Sequence, residues 1–103
     1  MQFTDADDGH EIEVRVGETF EVSLTEIRTA GFSWSIKSAG EPVCSVVADS
    51  MANPAATPGK SGAHQWQFKV DSPGNATIEL HYGRQWQKGA PARTYTLRIR
   101  AGA

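Results

Sequence analysis

Residues 64–82 read His64-Gln65-Trp66-Gln67-Phe68-Lys69-Val70-Asp71-Ser72-Pro73-Gly74-Asn75-Ala76-Thr77-Ile78-Glu79-Leu80-His81-Tyr82. His64, Trp66, Phe68 and Val70 recur at every second position, and so do Ala76, Ile78, Leu80 and Tyr82. A period of two puts one face of a strand in the core and the other in water. The Asp-Ser-Pro-Gly-Asn cluster between the runs is turn chemistry. The simplest pairing sets Trp66 opposite Leu80 and His64 opposite Tyr82, which sends His64 and His81 to opposite faces. On that pairing the two rings cannot share a metal ion, and His10 lies on another strand.

The same signature extends outward in both directions. Ile12, Val14 and Val16 alternate with Glu11, Glu13 and Arg15, and Gly17-Glu18 turns the chain. Phe20, Val22 and Leu24 mark a second strand, Phe32, Trp34 and Ile36 a third, and Val43 to Ala48 a weaker fourth. Tyr95, Leu97 and Ile99 form the last. No amphipathic helix, internal repeat or low-complexity linker interrupts the pattern. About seven short alternating strands in 103 residues predict one domain, an all-β, immunoglobulin-like antiparallel sandwich. With no cysteine pair to join the sheets, Trp34 is expected at the centre of the core.

If the strands alternate in direction, connections fall at alternate ends. Those at Gly17, Ser38–Pro42 and Asp71–Asn75 share one end and are short. Those at Glu26–Gly31, Asp49–Ala63 and Gly83–Ala92 share the other and are longer. Length segregated to one end is the pattern of a scaffold that presents binding loops. Within the first, Thr29, Ala30 and Gly31 form a slim crest leading into the Phe32/Trp34 strand.

Composition narrows the function further. The net charge of −2 gives no reason to expect nucleic acid. Acids crowd residues 1–26 and bases residues 84–100, which predicts two oppositely charged strands side by side. No apolar run is long enough for a membrane span, and Met1-Gln2-Phe3-Thr4-Asp5 does not read as a secretory leader. A cytoplasmic location is expected for the chain as written, and export if a leader has been removed. Cys44, the sole cysteine, sits in the apolar run Val43-Cys44-Ser45-Val46-Val47 and reads as a small buried hydrophobe. No nucleophile elbow, phosphate loop or cofactor motif is present, so no enzyme activity and no cofactor are expected.

Three segments together resemble a known family. Thr29-Ala30-Gly31-Phe32-Ser33-Trp34 is similar to the Asn-Pro-Thr-Thr-Gly-Phe-x-Trp segment of chagasin-like inhibitors of cysteine peptidases. Gly59-Lys60-Ser61-Gly62 resembles their Gly-x-Gly-Gly loop, and Tyr82-Gly83-Arg84-Gln85-Trp86 their Tyr-x-Arg-Pro-Trp loop. The likeness implies an immunoglobulin-like sandwich that wedges three loops reversibly and competitively into the cleft of a papain-like cysteine peptidase, as a monomer. It implies a peptidase-binding set of Arg28, Thr29, Ala30, Gly31, Phe32, Gly59, Lys60, Ser61, Gly62, Arg84, Gln85 and Trp86. Thr29, Ala30 and Gly31 would lie over the target's catalytic cysteine, residues 59–62 along its substrate cleft, and Arg84 and Trp86 against the other side. Ile27-Arg28 stands where the family has Asn-Pro, Ala30 where it has Thr, Ser61 where it has Gly, and Gln85 where it has Pro. Each lost proline removes stiffness and raises the ordering entropy of binding. The alternative is an immunoglobulin-like binding module that turns the same end to a non-peptidase partner.

Overall fold

The computed structural model describes residues 1–26, 32–52, 62–84 and 91–103. The strands are β1 (Gln2–Phe3), β2 (Glu11–Arg15), β3 (Thr19–Glu26), β4 (Phe32–Ala39), β5 (Cys44–Ala52), β6 (Gly62–Val70), β7 (Gly74–Arg84) and β8 (Arg93–Gly102). A 3-10 turn, Asp5–Asp7, follows β1. Two four-stranded sheets face each other, in the orders β1-β3-β6-β5 and β2-β8-β7-β4.

The alternation delivers the core as expected. Phe20, Val22 and Leu24 of β3, Trp66, Phe68 and Val70 of β6, Ile78 and Leu80 of β7, and Leu97 and Ile99 of β8 are all buried. Phe20 stacks on Phe68 at 5.3 Å, and Phe3 closes over Phe20 edge-on at 5.9 Å.

The pairing of the first-quoted runs differs from the expectation. β6 pairs with β3 and β5, while β7 pairs with β4 and β8. Trp66 and Leu80 therefore meet across the core from opposite sheets, not side by side in one. Alternation states which side chains face inward, and a facing sheet satisfies it as well as a neighbouring strand does. His64 and His81 accordingly stand in different sheets.

The N-terminal segment supplies an eighth strand that is too short to show periodicity. β1 runs parallel to β3, and β2 runs parallel to β8, so the sandwich is not wholly antiparallel. The chain crosses from one sheet to the other between these strands. Asp5 Oδ1 accepts from Thr25 N–H at 3.1 Å, and Asp8 Oδ1 accepts from Thr96 N–H at 2.9 Å, so the crossing is anchored to both sheets. The charge asymmetry finds its explanation here: Glu11 and Glu13 of β2 lie beside Arg100 of β8, at 3.2 and 3.7 Å.

The strands also run further than their apolar pattern. β5 reaches Ala52 and β7 reaches Arg84, so Asp49 and Gly83 belong to strands, not to the connections assigned to them from sequence. Both β4 and β5, which lie at sheet edges, carry a bulge. The register skips Lys37 in β4 and Val47 in β5. A bulge twists an edge strand and discourages edge-to-edge pairing with another chain.

The short connections cluster at one end, as expected. Gly17 N–H donates to Val70 O, Val70 N–H to Glu18 O, and Asp71 N–H to Val43 O. Gly40, in this same end, has φ +79°, and a Cβ there would come within 3.4 Å of both Ala76 and Ile78. Only glycine suits that backbone and that gap. The long connections leave from the opposite end, where Glu26 pairs with Gly62, Ala52 with Ala63, Phe32 with Arg84 and Tyr82 with Arg93.

Candidate functional site

The end that carries the three long connections is built on a group of polar side chains at core-facing positions. In β3 the inward phase runs Phe20, Val22, Leu24 and then Glu26. In β6 it runs from Val70 back to His64. Both last positions are buried, Glu26 at 1% exposure and His64 at 7%. A buried carboxylate is costly unless hydrogen-bonded and neutralised. Glu26 Oε1 accepts from the Trp34 backbone N–H at 2.6 Å and lies 3.1 Å from His64 Nδ1. The other ring nitrogen, Nε2, lies 2.5 Å from Asp49 Oδ1. The imidazole stacks on Trp66, with centroids 3.9 Å apart and planes 12° from parallel.

Asp49 reaches this position because of the bulge. Before it, Val46 pairs with Phe68; after it, Asp49 pairs with Trp66. The skipped Val47 is pushed out to 52% exposure, and Asp49 takes the inward phase that strict alternation would have denied it.

Trp34 joins this group to the other sheet. Its indole Nε1–H donates to Thr25 O at 3.0 Å, so two hydrogen bonds from one residue hold the last two residues of β3. Its ring packs on Tyr82 at 5.2 Å, Tyr82 stacks on Phe32 at 5.6 Å, and the Arg93 guanidinium stands 5.8 Å from the Trp34 ring. Ala92 N–H donates to Tyr82 O at 2.8 Å. Trp34 is thus buried, as expected, but at the loop-bearing end. The middle of the core belongs to Trp66, Phe68 and Leu80.

The consequence is mechanical. The segment 27–31 starts and stops at residues bonded to each other, Thr25 and Glu26 on one side and Trp34 on the other. The segment 53–61 starts and stops on strands linked by His64 and Asp49. The segment 85–90 leaves and returns on β7 and β8, whose Tyr82 and Arg93 both lie against the same indole. One connected set of contacts, Asp49–His64–Glu26–Trp34–Tyr82, ties the bases of all three.

Of the residues the sequence nominated, Phe32 opens β4, half-buried against Tyr82, and Gly62 opens β6 opposite Glu26. Arg84 ends β7 opposite Phe32. Arg28, Thr29, Ala30, Gly31, Gly59, Lys60, Ser61, Gln85 and Trp86 lie outside the described residues. Sequence reasoning missed Glu26 and Asp49, and assigned His64 only to a strand. The phase Phe20-Val22-Leu24-Glu26 carried a signal for the first. The Val46-Val47 doublet, which breaks alternation, carried one for the second.

The histidine ring lies between its two carboxylates, one at each nitrogen, so they do not converge on a common ion. Cys44 is wholly buried, and burial, aided by the Asp71 charge, pushes its thiol up to about 11. It is packing, not a nucleophile.

A two-sheet sandwich that gathers its long connections at one end over a braced base is a loop-presenting scaffold. The chain belongs to the chagasin family of peptidase inhibitors: the family described as "Chagasin family peptidase inhibitor I42" matches residues 13–99. It is an inhibitor and not an enzyme. No curated protein sequence matches it. Among solved structures, the cysteine protease inhibitor EhICP2 from Entamoeba histolytica superimposes with TM-score 0.85 at 23% identity, over 98% of this chain and 94% of that one. Amebosin, solved in solution, gives TM-score 0.75 at 28% identity over 99% and 97%. PbICP-C, solved in complex with falcipain-2, gives 0.71 at 17% identity over 99% and 90%.

Proposed function

We propose that this chain is a reversible, competitive inhibitor of papain-like cysteine peptidases that presents residues 27–31, 53–61 and 85–90 together to the active-site cleft. The observation that carries this reading is the shared base: three connections leave one end, and a single network from Asp49 to Tyr82 holds their stems. Family membership supplies the inhibitor class, and a relative of the same fold is seen in complex with falcipain-2. Three loops of this size bury an interface of roughly 1,600 Å². Trp86 is the aromatic anchor and Arg84 its charged neighbour, both favoured types at interface hot spots. Thr29 to Gly31 form the central wedge, and they block the cleft without offering a scissile bond in register. Stem bracing at Glu26 and Trp34 offsets part of the stiffness that Ile27-Arg28 lacks relative to the family's Asn-Pro.

Steady-state inhibition of papain tests this. A competitive pattern is expected, with Trp86→Ala raising the inhibition constant at least about tenfold while the melting temperature holds. No inhibition by the wild-type chain across a peptidase panel, or inhibition indifferent to both Thr29 and Trp86 substitutions, would point instead to a non-peptidase partner.

A further inference from the structure

His64 places both ring nitrogens against carboxylates, Nδ1 at 3.1 Å from Glu26 and Nε2 at 2.5 Å from Asp49. Carboxylates only accept, and a neutral imidazole has a single N–H. The ring that donates to both is the imidazolium. When the ring loses a proton, one of the two contacts becomes a lone pair facing a carboxylate.

We propose that His64 is a positioning residue for peptidase inhibition, a protonation-dependent clamp that joins the stems of the 27–31 and 53–61 connections. The inference rests on the inhibitor reading given above. Glu26 is the last residue of β3 before the first connection, and its Oε1 also takes the Trp34 N–H from the strand after it. Asp49 and His64 stand on the two strands flanking the second connection, β5 and β6. Releasing either contact removes a side-chain tie from stems that the β3–β6–β5 backbone ladder continues to hold, and so loosens their ends.

The neighbours fix the sign of the pH dependence. From β3 the ring meets Glu26, and from β5 it meets Asp49. Its own strand offers Trp66, which is uncharged. β4 reaches the network through the Trp34 N–H, and β8 places Arg93 over the Trp34 ring. Among the described residues, the charges in direct contact with the ring are therefore negative. The clamp is closed while the ring is the imidazolium and opens when the ring loses a proton, so inhibition should weaken toward higher pH.

Two measurements test the clamp. In NMR, the backbone amide signal of Trp34 should follow the titration of the His64 ring in the wild-type chain and stay still in His64→Gln. A Trp34 signal indifferent to the ring overturns the coupling, whatever the chain inhibits. In inhibition of papain, the ratio of variant to wild-type inhibition constants cancels the enzyme's own titration. For His64→Gln it should be about tenfold near pH 5.5 and shrink to about twofold near pH 8.5. Asp49→Asn, which leaves the buried Glu26 contact in place, should follow the same trend and add little to His64→Gln in the double variant. A ratio independent of pH in both variants overturns the proposal while wild-type inhibition still supports the function. Absence of wild-type inhibition overturns both.

Discussion

At the scale of single residues, environment decides what each ionisable group contributes. Glu26 is fully buried, and removing it strands the Trp34 N–H and His64; Glu26→Ala should cost ~3–5 kcal/mol in denaturant unfolding. Arg100 bridges Glu11 and Glu13 with all three side chains largely in water, so Arg100→Ala should cost no more than ~1 kcal/mol. Cys44 has a folded-state thiol raised to about 11 from an ordinary 9.0. Tyr95, whose hydroxyl donates to Thr4 O at 2.8 Å, is likewise raised, first by burial and then by Asp7, Asp8 and Asp5. Raised groups stabilise the fold below their unfolded values and cease to do so as pH climbs through the folded ones. The melting temperature should therefore fall between about pH 9 and pH 11. Iodoacetamide should leave Cys44 unmodified in the native chain and label it on unfolding. A Cys44 that alkylates rapidly near neutral pH would contradict the burial described here.

At the scale of elements, the strands were legible because water and core impose alternation directly on sequence. Their partners were not, because Trp66 and Leu80 face inward whether they sit in one sheet or in two. β1 escaped notice because two residues carry no period, and the ends of β5 and β7 because polar residues replace apolar ones there. Bulges were hidden for a related reason, since a skipped residue looks like a lapse in the pattern. The Val47 bulge has a testable consequence. Val47→Ala at this exposed position should change stability by less than ~0.5 kcal/mol. Deleting Val47 should remove the bulge and leave Asp49 two positions after Val46, still inward opposite Trp66, so the His64 contact should survive with a stability change under ~1 kcal/mol. At the far end, Gly40→Ala should cost about 1–2 kcal/mol, since φ +79° and two carbons at 3.4 Å both oppose a Cβ. Loss of the Asp49–His64 contact in the deletion variant would mean that Val47 is not simply the extra residue of the bulge.

At the scale of the whole molecule, the two ends of the sandwich are built differently. The far end closes with short turns bonded backbone to backbone around Val43 and Val70. The loop end carries a side-chain network, Asp49–His64–Glu26–Trp34–Tyr82, that spans both sheets. The segregation of long connections was visible in the sequence, because counting residues between alternating runs needs no pairing. The brace beneath them was not, because it depends on register between strands distant in the chain. Trp34 is where the two meet, and Trp34→Ala should cost ~3–5 kcal/mol and loosen every stem at once. The most direct test of the central claim is amide hydrogen exchange of the inhibitor, free and bound to papain. Protection on binding should appear in residues 27–31, 53–61 and 85–90 and leave Gly17, residues 40–43 and residues 71–73 unchanged. Protection centred on the short turns, or spread evenly over both ends, would contradict it.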